Sequence, residues 1–229
     1  MKIVSFGDSF VYGNELAGNI DGRCAWPGLA AKKLNAEYKT LAIPGCGNES
    51  ITRQIFSYFT EDNVKNTLAV INWTWASRYD IYFVANESWS TLGPTCVPRN
   101  LEGTVGLSEA KKLIDFYSNY GGKSILWDRY RSLQTIYVAQ CFLNSIGVKS
   151  IQTTIDMSIL DSTFHAPDYI LRLQNLTKSK IESFEGMSFL DWSYHHKYPV
   201  SPVDLHPLTE AHSAACDLWI DRYAAELNC

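Results

Sequence analysis

Two short stretches, one near each end of the chain, hold residues whose types could do chemistry together. Gly7-Asp8-Ser9-Phe10 places a serine directly after a short apolar run, Lys2 to Phe6. A serine hydroxyl is a weak nucleophile by itself and needs an adjacent base that a third group orients. Asp204-Leu205-His206-Pro207 supplies an imidazole and, two residues earlier, a carboxylate that can reach the same ring if the loop turns back. Ser9, His206 and Asp204 together are a set suited to acyl transfer. Each stretch taken alone also has a plainer reading. Asp8 and Ser9 could simply cap a helix. Asp204 and His206 could be surface residues flanking a helix start.

The elements that must position these residues are legible in the hydrophobic pattern. Lys2 to Phe6 reads as a buried strand ending at Gly7, which permits a sharp turn. Open parallel sheets bind ligands beyond the carboxyl ends of their strands, so Ser9 stands where a ligand would. A helical turn starting at Ser9 would aim its N–H groups at anionic oxygen. Trp26 to Leu34 predicts a helix with Pro27 in its first turn, and Tyr38 to Ile43 a strand closed by Pro44-Gly45. Glu49 to Phe59 predicts a helix and Thr67 to Trp73 a third strand. Strand and helix in alternation imply a parallel sheet covered by helices. Leu126 to Ile146 predicts a long helix, with Leu126, Tyr130, Leu133, Tyr137 and Cys141 as its stripe and Gly147 to end it. Val148 to Ile155 follows as a fourth strand. A last helix runs from Pro207 to about Leu227, with Leu208, Ala211, Ala215, Leu218 and Trp219 facing inward. The expectation is one three-layer α/β/α, flavodoxin-like domain over residues 1–229, around a parallel sheet of about five strands. Residues 85–122 hold aromatics, prolines and glycines, with one helix from Ser108 to about Tyr117. They follow the third strand, so they should emerge on the catalytic side as a lid or pocket wall.

With both stretches in place, the chain resembles the SGNH/GDSL esterase and lipase family, which opens on a Gly-Asp-Ser block and closes on an Asp and His before the last helix. Ala42-Ile43-Pro44-Gly45 is similar to the family's second block, whose glycine N–H helps form the oxyanion hole. Gly45 matches that glycine, with Gly47 the competitor. The third block departs from the pattern. Where the family has Gly-x-Asn-Asp past the third strand, this chain reads Asn72-Trp73-Thr74-Trp75-Ala76, with Ala76 in the asparagine's place. The resemblance then leaves Thr74, or else Asn72, as the third donor. Asp204 and His206 are also one residue closer than in the commonest family form. The resemblance implies a serine esterase acting on small acyl esters, acetylated carbohydrate among them. Two alternatives stay open: an acyltransferase using the same triad, and a non-catalytic binding module on a degenerate esterase fold.

Composition excludes several other classes. The 229 residues carry a net charge of −4, which argues against a nucleic-acid partner. No stretch approaches a membrane span of about 18 apolar residues, and the N-terminus is too short and too soon acidic for a signal peptide. The expected compartment is cytoplasmic, with Cys24, Cys46, Cys96, Cys141, Cys216 and Cys229 reduced. No metal site is expected: there is no CxxC, His195 and His196 are adjacent, and His165 and His212 lack a partner at ligand spacing. His212 reads as packing in the last helix. No GxxxxGK[ST] or GxGxxG loop appears, so no nucleotide cofactor is expected. Trp73, Trp75 and Tyr79 lie just where the third strand ends, near the expected site.

Overall fold

The computed structural model describes residues 1–121, 124–161 and 165–228. Gly122, the expected end of the lid segment, and Cys229 lie outside the described residues. Four strands form one parallel sheet in the order β2-β1-β3-β6: β1 (Lys2–Phe6), β2 (Glu37–Thr40), β3 (Thr67–Trp73) and β6 (Lys149–Thr154). β3 has every residue buried, as a central strand covered on both faces must. β2 is an edge and alternates exposed with half-buried residues, Glu37 and Lys39 facing out.

Alternate residues of the strands feed two cores. Ile3, Leu68, Val70 and Ile151 pack on one face with α2 (Trp26–Lys33) and α9 (Thr209–Asn228). Val4, Phe6, Ala69 and Ile71 pack on the other with α3 (Asn48–Tyr58) and α6 (Ile125–Ser145). The three-layer α/β/α expectation holds, with four strands instead of five. Among the described residues no strand extends the sheet past β6, for a local reason. After α7 (Asp168–Lys178) the chain makes one backbone bond to β6, Glu182 N–H to Gln152 O at 2.7 Å. It then reverses between Phe184 and Met187, where Glu185 and Gly186 both have positive φ. The next helix is α8 (Phe189–His195).

Two expected helix faces need correction. On α9 the buried stripe is Ala211, Ala215, Cys216, Trp219 and Tyr223, while Leu218 points outward, 44% exposed. On α6 the residues facing the sheet are Ile136, Ala139 and Leu143. Leu126, Tyr130 and Leu133 instead pack with Ile170 of α7, and Cys141 is exposed. A helix wedged between a sheet and another helix has two apolar stripes, and the more conspicuous one belongs to α7.

Beyond β3 the chain forms a hairpin, β4 (Tyr79–Phe83) with β5 (Ser88–Leu92), then α4 (Pro98–Val105) and α5 (Leu107–Phe116). Leu92, Leu101, Ala110 and Tyr117 make its own small core. Arg131 of α6 anchors the hairpin's base. Its guanidinium donates to Ala76 O and Arg78 O, pairs with Glu49, and lies 3.9 Å from the Tyr79 ring centre. Burial lowers the Arg131 pKa to about 10. No described helix is long and apolar enough to cross a membrane, and the described cysteines are all free thiols.

Candidate functional site

β1 is where the strand order reverses, with β2 on one side and β3 on the other, and its carboxyl end is therefore a crevice. Gly7 follows, at φ +155, where a side-chain Cβ would come within 3.0 Å of Asn72 O and of Val11. The chain enters the one-turn helix α1 (Ser9–Tyr12) directly from it. Asp8 caps that turn through Oδ1, accepting from Phe10 N–H at 3.1 Å. The cap and the serine are thus both real: Asp8 caps, and Ser9 is left at the helix entrance.

His206 reaches Ser9 from the far end of the sequence. Its Nε2 lies 2.8 Å from Ser9 Oγ. The loop that carries it is tightly closed: Ser201 N–H donates to His206 O at 2.8 Å, Leu205 N–H to Ser201 O at 3.2 Å, and Leu205 sits at φ +57. Phe10 meets the imidazole edge-on, with ring centres 5.1 Å apart. The Nδ1 side of the ring faces Glu15, whose Oε2 is 3.3 Å away. Asp204 is exposed and makes no hydrogen bond among the described residues; its carboxylate joins the Glu15 carboxylate and the His206 imidazole in a group whose polar atoms lie within 4.8 Å of one another. That trio is the described group whose polar atoms could converge on a cation, but the imidazole already faces a hydroxyl on one nitrogen and a carboxylate on the other.

The second block folds back against β1. Ile43 N–H donates to Gly7 O at 2.9 Å, and Cys46 Sγ to the same oxygen at 3.4 Å. This brings Gly45, at φ +78, to the Ser9 side of the sheet. Neither Ser9 N–H nor Gly45 N–H has a hydrogen-bond acceptor among the described residues. Gly47, the competitor, is already engaged: its N–H donates to Asp80 Oδ1 at 3.1 Å. Asp80 also accepts from Ser50 N–H at 2.6 Å, so it caps α3. Burial pushes the Cys46 thiol up, so it is packing and not a second nucleophile.

The third block departs from the expected arrangement here as well. Thr74 is fully buried, and its Oγ1 donates to Asp8 Oδ2 at 2.9 Å while accepting from Arg78 Nη1 at 2.7 Å. Its hydroxyl hydrogen is therefore directed at Asp8 and not at a substrate. Asn72 lies within β3; its Oδ1 accepts from Thr153 Oγ1 at 2.8 Å, and its buried Nδ2 has no partner. Ala76 N–H donates to Asp156 Oδ2 at 2.9 Å. What sequence reasoning missed is Arg78. Its Nη1 also donates to Asp8 Oδ2 at 2.8 Å and to Cys46 O at 3.1 Å. One guanidinium thus ties the first, second and third blocks together around a carboxylate with no exposed surface. Glu15 was missed too: its only sign in the sequence is a carboxylate shortly past Ser9.

A cavity of about 480 Å³ opens beside Gly45, walled by Arg53, Arg78, Trp89, Thr95 and Asn100. Arg53 lies 3.4 Å from the Trp89 ring centre. A slightly larger cavity, about 550 Å³, is lined by Gly147, Lys149 and Glu226. It sits at the amino end of β6, opposite Ser9, and has no part in this site. His212 is fully buried, as its packing role predicts. Its Nδ1 accepts from Trp26 N–H at 3.2 Å, and burial lowers its pKa to about 3.

No family model matches the sequence, and no curated protein matches it significantly. Solved structures do match over almost the whole chain. A member of the lipolytic protein G-D-S-L family from Veillonella parvula is 13% identical, covers 98% of both chains and has a TM-score of 0.51. A psychrotrophic esterase, EstA, from a Pseudoalteromonas species is 11% identical, covers 100% of this chain and 99% of its own, and has a TM-score of 0.52. An acetyl xylan esterase from Butyrivibrio proteoclasticus is 10% identical, covers 99% of this chain and 64% of its own, and has a TM-score of 0.50. The chain therefore has an SGNH hydrolase-like α/β fold, and its structural neighbours over nearly the full length are GDSL/SGNH lipolytic esterases and carbohydrate esterases.

Proposed function

We propose that this protein is a serine esterase that hydrolyses small acyl esters, with Ser9 as nucleophile and His206 as general base. The observation that carries the reading is the 2.8 Å approach of His206 Nε2 to Ser9 Oγ, at the end of the sheet where the backbone N–H groups of Ser9 and Gly45 have no acceptor among the described residues. The carboxylate that accompanies the imidazole comes from the pair Glu15 and Asp204. His206 takes the hydroxyl proton as Ser9 Oγ attacks the acyl carbonyl, and the N–H groups of Ser9 and Gly45 receive the developing negative oxygen. His206 then protonates the departing alcohol. Water, deprotonated by the same imidazole, releases the acyl group and restores Ser9.

The cavity beside Gly45 offers a seat for the acyl or alcohol portion; Ser9 and His206 are not in its lining, and residues between Asp80 and Leu101 form much of its wall. Acetylated carbohydrate is the substrate class that the acetyl xylan esterase among the structural neighbours suggests. One observation favours a non-catalytic binding module instead: with Thr74 engaged and alanine at position 76, the unengaged side-chain amide in the third block is Asn72 Nδ2, which is buried within β3. Reaction with a fluorophosphonate probe separates the two. Labelling of the wild type, lost in Ser9→Ala, together with hydrolysis of p-nitrophenyl acetate, is expected. Absence of both labelling and turnover in folded wild-type protein refutes the esterase reading.

A further inference from the structure

We propose that Glu15, and not Asp204, is the carboxylate that positions the His206 imidazole; this rests on the reading of Ser9 and His206 as nucleophile and base. A carboxylate only accepts hydrogen bonds. Glu15 Oε2, 3.3 Å from Nδ1, therefore fixes the ring as the tautomer with its proton on Nδ1. Nε2 is then bare, and at 2.8 Å it accepts the Ser9 hydroxyl. A distance at the long end of the hydrogen-bond range is ordinary for a catalytic pair without substrate.

The segment that carries Glu15 is built to hold it. Asn19 Nδ2 donates to Tyr12 O at 2.7 Å and to Gly13 O at 3.0 Å, and its Oδ1 accepts from Cys24 N–H at 2.9 Å. Leu16, next to Glu15, is buried, and its N–H donates to Gly13 O at 3.3 Å. Between these fixed points Glu15 takes φ +65, a conformation uncommon for a residue with a side chain. Backbone held in such a conformation concentrates at functional sites. The Glu15 side chain is 26% exposed and that of His206 10%, so the pair is partly shielded from water. As whole residues Glu15 and Asp204 are both exposed, and what separates them is the contact with the imidazole. Asp204 stands between Val203 and Leu205, which are 77% and 50% exposed, and its carboxylate, though within 4.8 Å of the Glu15 and His206 polar atoms, makes no hydrogen bond among the described residues. The carboxylate two residues before the histidine has the expected sequence position, and the one some 190 residues away has the contact.

The test compares Glu15→Gln, Glu15→Asp and Asp204→Asn on p-nitrophenyl acetate and by proton NMR. Glu15→Gln is expected to lower kcat about 10²-fold with KM within about twofold, less than the roughly 10⁴ of a fully buried triad carboxylate. Glu15→Asp should recover part of that loss, and Asp204→Asn should cost under about tenfold. The downfield Nδ1–H resonance of His206 should vanish in Glu15→Gln and persist in Asp204→Asn. A larger kcat loss in Asp204→Asn than in Glu15→Gln, or a resonance that survives Glu15→Gln, overturns the proposal. The NMR arm decides the matter even if the wild type proves inert, so failure of the esterase reading is distinguishable from failure of this one.

Discussion

Replacing Arg78 with methionine tests the carboxylate at the heart of the site. Asp8 has no exposed surface, and its Oδ2 is held by Arg78 Nη1 at 2.8 Å and Thr74 Oγ1 at 2.9 Å, with Phe10 N–H on Oδ1 at 3.1 Å. Methionine keeps the stem's volume and removes the charge. Two neutral donors would remain for a buried anion. Removing one partner of a buried ion pair costs roughly 3–5 kcal/mol, because the other charge stays in low dielectric without compensation. The Arg78 side chain is 18% exposed, a route by which water can reach the gap. The low end of that range, about 3 kcal/mol, is therefore expected. Urea unfolding reads it: at an m-value of about 3 kcal/mol per M the midpoint falls by about 1 M. The sign of a second substitution is more diagnostic. Asp8→Asn retains the cap acceptor and removes the charge, so in the Arg78→Met background it should stabilise. Turnover should fall by more than the unfolded fraction explains, since Arg78 also holds Cys46 O and with it the Gly45 turn. A loss below about 1 kcal/mol for Arg78→Met, or a destabilising Asp8→Asn in that background, refutes the argument.

Other outcomes follow from the same geometry. His212 is buried neutral with its pKa near 3, against about 6.5 unfolded, so as pH falls below 6.5 the unfolded chain takes up a proton that the fold refuses. Relative to His212→Gln, the wild type should lose up to about 1.4 kcal/mol of stability per pH unit between pH 6 and 4, read by urea midpoints; parallel curves would contradict the assignment. Gly45→Ala meets open space but sits at φ +78, so the cost comes from backbone strain; about 1 kcal/mol of stability and, from the displaced N–H, about 10²-fold in kcat are expected, measured by thermal melts and ester hydrolysis. Thr74→Val removes a donor from buried Asp8 and should cost stability of about 1–3 kcal/mol, visible in unfolding; a kinetic loss with unchanged stability would return Thr74 to the oxyanion hole.

The sequence by itself determined what short-range patterns determine. β3 spans Thr67–Trp73 as its apolar run predicts, because a strand buried on both faces must be apolar throughout. Gly7 ends β1 and leaves Ser9 at the crevice, and the loop before Pro207 carries His206, since turn residues fix chain direction locally. The tertiary structure alone decided which groups meet. Glu15 and His206, or Asp8 and Arg78, join across distances in the chain over which no periodicity carries information. Thr74 reads as a free donor in the sequence, whereas in the fold Asp8 accepts its hydroxyl. The inward face of α6 was ambiguous because two partners each need a stripe, and the fifth strand was lost to a reversal after one backbone bond. Local dihedral preferences are written residue by residue. A buried hydrogen bond is settled only when the packing of both cores has fixed which side chains remain without water.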